Sequence, residues 1–93
     1  MERRGKFEIY GDIISAVSEE ASRTGEARLT RVQSTANIPY SRFKERVRKL
    51  EKQGLIRLLH AGDHVKVELT DSGKAYLREY EHVKKLVRFY GLE

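Results

Sequence analysis

The residues best suited to bind a ligand are cations gathered in one short segment. Between residues 40 and 57 the sequence holds seven basic residues and only two acidic ones, whereas the remainder of the chain is electrically balanced. The basic residues are Arg42, Lys44, Arg46, Arg48, Lys49, Lys52 and Arg57. This segment therefore carries the whole formal net charge of +5. A focused basic element is typical of a nucleic-acid-binding surface, although a solvated basic helix has the same composition.

Other kinds of chemistry find little support in the sequence. Because the chain contains no cysteine, disulfides, thiolate metal sites and cysteine nucleophiles are excluded. His60 and His64 can form a pair, but they have no third ligand beyond Asp63, so we expect no metal site. No phosphate-binding glycine loop occurs, and no histidine and carboxylate stand at a catalytic spacing. We therefore expect no enzyme activity and no cofactor.

Length and hydropathy limit the architecture. A chain of 93 residues supports one small core, which a partner subunit can complete. No apolar run approaches the roughly 20 residues that span a bilayer, and no signal-peptide core follows the first four residues. We expect a cytoplasmic, nucleoid-associated protein with no membrane partner.

Two helices precede the basic segment. Between residues 6 and 21, apolar side chains recur at steps of three and four, and this spacing predicts an amphipathic helix. Residues 22–25 then predict a loop. Thr30 is a candidate N-cap for a short second helix, which we expect to stop at residues 37–39 because a proline disfavours helical geometry in the residue before it. Pro39 itself suits the first position of the next helix.

The basic segment forms the predicted third helix, residues 40–53. Its apolar residues Phe43, Val47 and Leu50 form a narrow stripe, and almost all the other side chains are polar or charged. Gly54 is the expected C-terminal stop. This spacing predicts a helix with a thin buried face and a wide exposed one.

A hairpin and a long helix complete the chain. The branched residues of 55–59 and the alternation in residues 65–69 predict two strands, joined by a turn at residues 61–63. The last helix begins at Thr70 and Asp71 and carries apolar and aromatic residues at heptad spacing. These are Tyr76, Tyr80, Val83, Val87 and Tyr90, and the stripe is widened by Leu77, Leu86 and Phe89.

The order of elements predicts the fold. We expect a mostly α protein with a small β-hairpin, a winged helix-turn-helix (α-α-α-β-β) followed by a long C-terminal helix. We divide it into a winged helix-turn-helix domain, residues 1–70, and a dimerisation helix, residues 71–93. In this plan the third helix enters the DNA major groove, and it is the helix that carries the excess charge.

Five stretches between about residues 9 and 80 carry a resemblance. They are Thr30-Arg31-Val32, Ala36-Asn37-Ile38, Tyr40-Ser41-Arg42-Phe43-Lys44, Leu50-Glu51-Lys52-Gln53-Gly54-Leu55-Ile56, and Leu69-Thr70-Asp71-Ser72-Gly73-Lys74-Ala75-Tyr76-Leu77. On these stretches the sequence resembles the small archaeal winged-helix DNA-binding proteins whose C-terminal helices pair in an antiparallel coiled coil. The resemblance implies a homodimer and adds chromatin-like DNA binding to the possible functions. Pro39 and Arg46 depart from the pattern, where a serine-like cap and a bulky apolar residue are usual.

Side chains off the apolar stripe of the third helix are the candidates for DNA contact. Glu45 can accept a hydrogen bond from a cytosine amino group or pair with Lys49 one turn away. Arg46, next to the stripe, is interpreted as a partly buried side chain rather than a base contact. The full candidate set comprises Arg31, Gln33 and Ser34 on the second helix, Ser41, Arg42, Lys44, Glu45, Arg48 and Lys49 on the third, and His64 and Lys66 on the hairpin.

The heptad residues have two interpretations. They can pack against a second copy of the chain, which we favour, or fold back on their own domain. The predicted dimer interface comprises Tyr76, Tyr80, Val83, Leu86, Val87 and Tyr90.

Two functional hypotheses result. The first is a dimeric protein that binds double-stranded DNA, either a transcriptional regulator or a chromatin-like architectural protein. The alternative is a winged-helix module that binds a protein or structured RNA partner through the same face.

Overall fold

The computed structural model describes residues 5–93, so the first four residues of the predicted domain lie outside it. Four helices surround a small antiparallel sheet. The helices are α1 (Lys6–Thr24), α2 (Leu29–Ala36), α3 (Tyr40–Lys52) and α4 (Asp71–Phe89); the strands are β1 (Ala27–Arg28), β2 (Ile56–Ala61) and β3 (His64–Leu69). The predicted fold class is confirmed: the chain is mostly helical, with a long last helix and a wing, the hairpin of β2 and β3.

The sheet has one strand more than the sequence predicted. β3 lies at its centre and pairs with β2 on one side and with the two-residue β1 on the other. A strand of two residues has no periodicity to detect, because period-2 alternation needs about four residues. The pairing of Ala27 with Val67 fixes the residues on either side of Ala27, Glu26 and Arg28, on the outer face of the sheet.

Helix boundaries differ from prediction at three places. α1 continues through residues 22–24, where the Thr24 hydroxyl donates to the carbonyl oxygen of Glu20, and ends at Gly25 in the left-handed conformation. α2 begins directly after β1, so the predicted N-cap, Thr30, lies inside its first turn. Asn37 ends α2 in the left-handed conformation, and Pro39 precedes α3 rather than opening it.

The core lies between α1, α2, α3 and the inner face of the sheet. The completely buried side chains include Ile13 and Ile14 of α1, Val32 of α2 and Leu50 of α3. Ile56 closes the core from the sheet. Burial of a side chain of this size contributes about 1.5–3 kcal/mol, so the thin apolar stripe of α3 suffices to fix its orientation.

The start of α4 is tied to the end of α3. Thr70 accepts a hydrogen bond from the Gly73 amide at 3.1 Å and donates one to the carbonyl oxygen of Gly54 at 2.6 Å. A Cβ atom at Gly73 would lie 2.1 Å from the carbonyl oxygen of Leu55. Glycine is therefore required for this close approach, which fixes where the last helix leaves the domain.

Candidate nucleic-acid interface

Of the four helices, α3 carries the largest net positive charge. Phe43, Val47 and Leu50 point into the core, so the rest of the helix faces outward. All six candidate residues of this helix are exposed: Ser41, Arg42, Lys44, Glu45, Arg48 and Lys49. Helical spacing aligns Ser41, Glu45 and Arg48 in one row opposite the core. The sequence interpretation of this helix as a two-faced element is confirmed.

The cations of this face are available to a ligand. Within residues 5–93, Arg42, Lys44, Arg48 and Lys49 take part in no ion pair. The pair between Glu45 and Lys49 that the spacing allows is not formed. Since these side chains have no internal partner to give up, a polyanion meets them without first breaking a contact.

Arg46 belongs to the interior side of the same helix. Its guanidinium lies over the Tyr10 ring of α1, 5.6 Å from the ring centroid, and its Nη1 lies 3.5 Å from the Tyr10 hydroxyl. A cation over an aromatic face is a favourable contact. Arg46 therefore links α3 to α1, as expected of a partly buried side chain.

The candidates on α2 differ in what their side chains do. Arg31 is exposed. Gln33 donates from Nε2 to the carbonyl oxygen of Ile38 at 3.2 Å and so braces the turn into α3. The Ser34 hydroxyl lies 3.4 Å from the carbonyl oxygen of Thr30. Of these three side chains, only Arg31 is charged, and it forms no ion pair with the described residues.

A buried carboxylate holds α2 in place. Glu20 of α1 is only 2 % exposed. Its Oε2 accepts hydrogen bonds from the Thr35 hydroxyl at 2.8 Å and from the Arg23 guanidinium at 2.6 Å. Because a buried carboxylate is stable only when paired and hydrogen-bonded, this contact fixes α2, and with it the turn to α3, against α1.

The wing carries a cluster of compensated charges. Glu26, just before β1, lies 3.2 Å from Nε2 of His64, 3.5 Å from Nζ of Lys66 and 3.0 Å from Nε of Arg28. The Arg28 guanidinium, with a smaller contribution from Lys66, holds the pKa of Glu26 below its ordinary value. On its other side His64 contacts Asp63 at 3.1 Å and lowers the pKa of that carboxyl. The two wing candidates, His64 and Lys66, therefore already face an acid.

Sequence reasoning missed Glu26 and Arg28 as parts of this cluster. Glu26 reaches His64 and Lys66, and Arg28 joins the cluster through Glu26, only because β1 pairs with β3. The signal available in the sequence was the Glu-Ala-Arg alternation at residues 26–28, which is too short to predict a strand.

The first half of the α4 heptad contacts the same chain. Tyr80 is 3 % exposed, its ring lies against Gly11 of α1, and its hydroxyl donates to the Asp12 carboxylate. The Tyr76 hydroxyl donates to the carbonyl oxygen of Phe7 at 2.9 Å. The prediction that Tyr80 faces a partner is therefore wrong: α1 already covers its ring. Tyr76 is half-buried against Phe7.

The second half of α4 is exposed and apolar. Val83, Leu86 and Tyr90 are exposed, and Val87 is half-buried. A groove of about 500 Å³ runs beside them, lined in part by Phe7, Tyr80, Val83, Val87 and Leu92. No helix among the described residues is both long enough and apolar enough to cross a membrane.

A sequence model of winged helix-turn-helix proteins matches residues 3–88. Sso10a-2, a DNA-binding protein from Sulfolobus solfataricus, has a similar structure, with a TM-score of 0.74 and 25% identity over 96% of this chain and 88% of that one. AF1382 from Archaeoglobus fulgidus has a TM-score of 0.69 and 18% identity over 89% and 88% of the two chains.

A third similar structure is BpsR from Bordetella bronchiseptica, whose DNA binding is regulated by 6-hydroxynicotinic acid. It has a TM-score of 0.74 and 18% identity over 88% of this chain and 61% of that one. At such identities AF1382 and BpsR show the fold alone. None of the curated proteins compared with the chain matches it significantly.

Proposed function

The chain belongs to the winged helix-turn-helix family, and we propose on that premise that it is a dimeric protein that binds double-stranded DNA. The observation that carries this proposal is the exposed face of α3, where Arg42, Lys44, Arg48 and Lys49 have no acidic partner within residues 5–93. In helix-turn-helix proteins the second helix of the pair lies in the major groove, and α3 occupies that position here.

Binding combines a general and a selective component. Lysines on α3 neutralise phosphates and release counterions, which supplies affinity without sequence preference. The guanidinium forks of Arg42 and Arg48 match the O6 and N7 atoms of guanine, and the Glu45 carboxylate matches the amino group of cytosine. Ser41 and Lys49 flank these side chains and suit phosphate contacts.

α2 and the wing extend the contact on either side of α3. In this proposal the exposed Arg31 of α2 binds the DNA backbone. Gln33 and Ser34 hold or border the turn that presents α3. Glu26 already contacts His64 and Lys66. DNA phosphates must therefore displace Glu26 before they bind these two side chains. The wing therefore binds DNA only after it loses its contacts with Glu26, whereas the cations of α3 bind without losing any contact.

The second half of α4 supports dimerisation with another copy of the chain. Val83, Leu86 and Tyr90 are exposed on a helix whose first half is fixed by its contacts with α1. Apolar residues at heptad spacing pack best against a like helix. In this proposal residues 1–70 form the DNA-binding domain and residues 71–93 the dimerisation helix, with Val83, Leu86, Val87 and Tyr90 as its contact residues.

Two roles are compatible with this mechanism: a transcriptional regulator and a chromatin-like architectural protein associated with the nucleoid. They differ in the ratio of specific to non-specific affinity. Sso10a-2, which is 25% identical, is a DNA-binding protein. Both roles require binding alone, with no chemical step.

The experiment is a salt series on a mixed-sequence duplex of about 30 base pairs, three helical turns. If Lys44 and Lys49 of each subunit meet phosphates, the logarithm of the binding constant falls against the logarithm of the salt concentration with a slope of about −4. Duplex RNA of the same sequence serves as the comparison. No binding to DNA at low salt, or tighter binding to the RNA, would overturn the proposal.

A further inference from the structure

Tyr40 is an aromatic residue that the core does not use. It is the first residue of α3 and is 65% exposed. Three residues later, Phe43 of the same helix is 3% exposed. Exposure of this size at the head of the basic helix is not explained by packing within the domain.

Three of the other four tyrosines have polar or cationic partners, and the fourth, Tyr90, packs its ring on Phe89. Tyr10 lies beneath the Arg46 guanidinium, and the hydroxyls of Tyr76 and Tyr80 donate to Phe7 and Asp12. Within residues 5–93 the Tyr40 ring meets no other ring, and its hydroxyl has no hydrogen-bond partner. Tyr40 therefore offers both an apolar ring and an unused hydroxyl to a ligand.

Tyr40 stands at the N-terminal end of α3, where its exposed ring borders the buried stripe. Side chains of an α-helix tilt toward its N-terminus, so a residue in the first turn projects beyond the end of the helix. Pro39 holds an extended conformation just before it. Lys44 lies one turn later on the same side, at i+4. In a recognition helix, the N-terminal residues are those that approach the base edges.

The chemistry of the major groove identifies the matching group. Most features of its floor are polar, and the C5-methyl of thymine is the apolar one. An aromatic ring has no fork with which to read guanine or adenine, but it can cover a methyl group. We propose that Tyr40 is a specificity-determining residue whose ring packs on the C5-methyl group of thymine; this inference rests on the proposed binding of α3 in the major groove.

The test removes the methyl group and nothing else. An alternating A·T duplex of about 30 base pairs is compared with the same duplex in which deoxyuridine replaces every thymidine. The wild-type protein should bind the thymine duplex about fourfold more tightly for each methyl covered, the effect of burying one such group. Y40F keeps the ring and should keep this preference. Y40A should bind the two duplexes equally.

A neighbouring variant separates base contact from phosphate contact. K44A, one turn along α3, should weaken binding to both duplexes by the same factor and leave the thymine preference intact. The unfolding midpoint of each variant, measured beside the wild type, shows that the fold is retained. Since the Tyr40 side chain is exposed, we expect the unfolding midpoint of Y40A to equal that of the wild type.

The outcomes are distinct. A wild-type protein that binds both duplexes equally, or a Y40A variant that keeps the thymine preference, overturns the role of Tyr40 while leaving DNA binding intact. If Y40A loses affinity for both duplexes by the same factor, the ring contacts the DNA backbone, and the proposed thymine contact is likewise overturned. A protein that binds neither duplex at low salt overturns the proposed function itself.

Discussion

Arg42 and Arg48 are the side chains of α3 whose geometry suits base recognition. Both are exposed and neither has an acidic partner in the part of the chain that the structure describes. We expect R42A combined with R48A to lower duplex affinity by at least about thirtyfold, since each lost guanine contact costs about 1 kcal/mol or more. The unfolding temperature should stay within a few degrees of wild type, because both side chains lie off the buried stripe. Fluorescence anisotropy with a labelled duplex measures the affinity.

The matched control removes two cations elsewhere. Arg78 and Lys85 are exposed on α4, and helical spacing places them opposite the heptad residues of that helix. R78A combined with K85A lowers the net charge by the same amount. If this control loses as much affinity as the α3 variant, the effect comes from net charge, and α3 is not the contact surface.

Glu26 competes with DNA for the wing cations. Because Glu26 lies 3.5 Å from Lys66 and 3.2 Å from His64, we expect E26Q to release both toward phosphates. Duplex affinity should rise, and the salt slope should steepen by about one unit for each cation that gains a phosphate. E19Q, on the exposed side of α1, changes the charge equally and should have little effect. An E26Q protein with unchanged affinity and slope would remove the wing from the interface.

The same cluster shows how far residue-level prediction reaches. The excess of cations on α3 was predicted, because local sequence alone sets the charge of a helix face. The partners of His64 and Lys66 were not predicted, because Glu26 reaches them only through the pairing of β1 with β3. A charge is readable from the sequence, whereas its compensation by a distant residue depends on the tertiary fold.

At the scale of elements, long periodic segments were predicted well and short ones were not. α3 was predicted to within one residue, since Phe43, Val47 and Leu50 fix its face and Gly54 ends it. β1 was missed, and the start of α2 was placed too late as a consequence. Two residues of strand form only because β3 supplies their hydrogen bonds, and no local pattern encodes that pairing.

The α4 heptad shows a different limit. Its spacing identifies an apolar stripe but does not say which surface covers it. Gly11 decides the first half, because a Cβ atom there would lie 2.2 Å from the Tyr80 ring. Glycine in the middle of α1 costs helix stability, and here it makes room for an aromatic ring from α4. The sequence contains both residues, but nothing local connects them.

Alkaline pH should loosen the contact between α1 and α4. Burial raises the pKa of Tyr80 well above its ordinary value, and the hydrogen bond that its hydroxyl donates to the Asp12 carboxylate raises it further. A group whose pKa is raised by folding contributes stability that is fully present below its unfolded pKa, about 10, and is lost as pH rises from there through the folded value. Unfolding free energies from urea titrations should therefore fall above that pH.

Y80F isolates this effect. At neutral pH the variant should be about 1–2 kcal/mol less stable, since it lacks the hydrogen bond to Asp12. Its further loss of stability on raising the pH above about 10 should be smaller than that of wild type. Y76F, whose tyrosine is only half-buried and has its pKa raised by burial, is the comparison. A steeper alkaline loss in Y80F than in wild type would contradict the assigned cause.

At the scale of the whole molecule, the charged and apolar surfaces are separate. The excess positive charge lies on α3, whereas the exposed apolar side chains of the last helix lie beyond its contact with α1. No residue of α3 lines the groove beside the second half of α4, so we expect a contact there to leave α3 accessible. Two copies joined through α4 can therefore present two α3 helices to one duplex, and the second helix then binds at a high effective concentration.

This arrangement predicts that dimerisation and DNA affinity are lost together. Val83 is 39% exposed and follows the Tyr80 contact by one turn, so V83D places a charge in the proposed interface without disturbing the core. Sedimentation should show a monomer, and duplex affinity should fall by about a hundredfold or more, since avidity of linked sites is worth at least that factor. H82D adds the same charge one residue away, off the heptad, and should remain a dimer with near-normal affinity. A V83D protein that still sediments as a dimer would place the interface elsewhere; one that is monomeric but binds DNA as tightly as wild type would show that a single α3 accounts for the affinity.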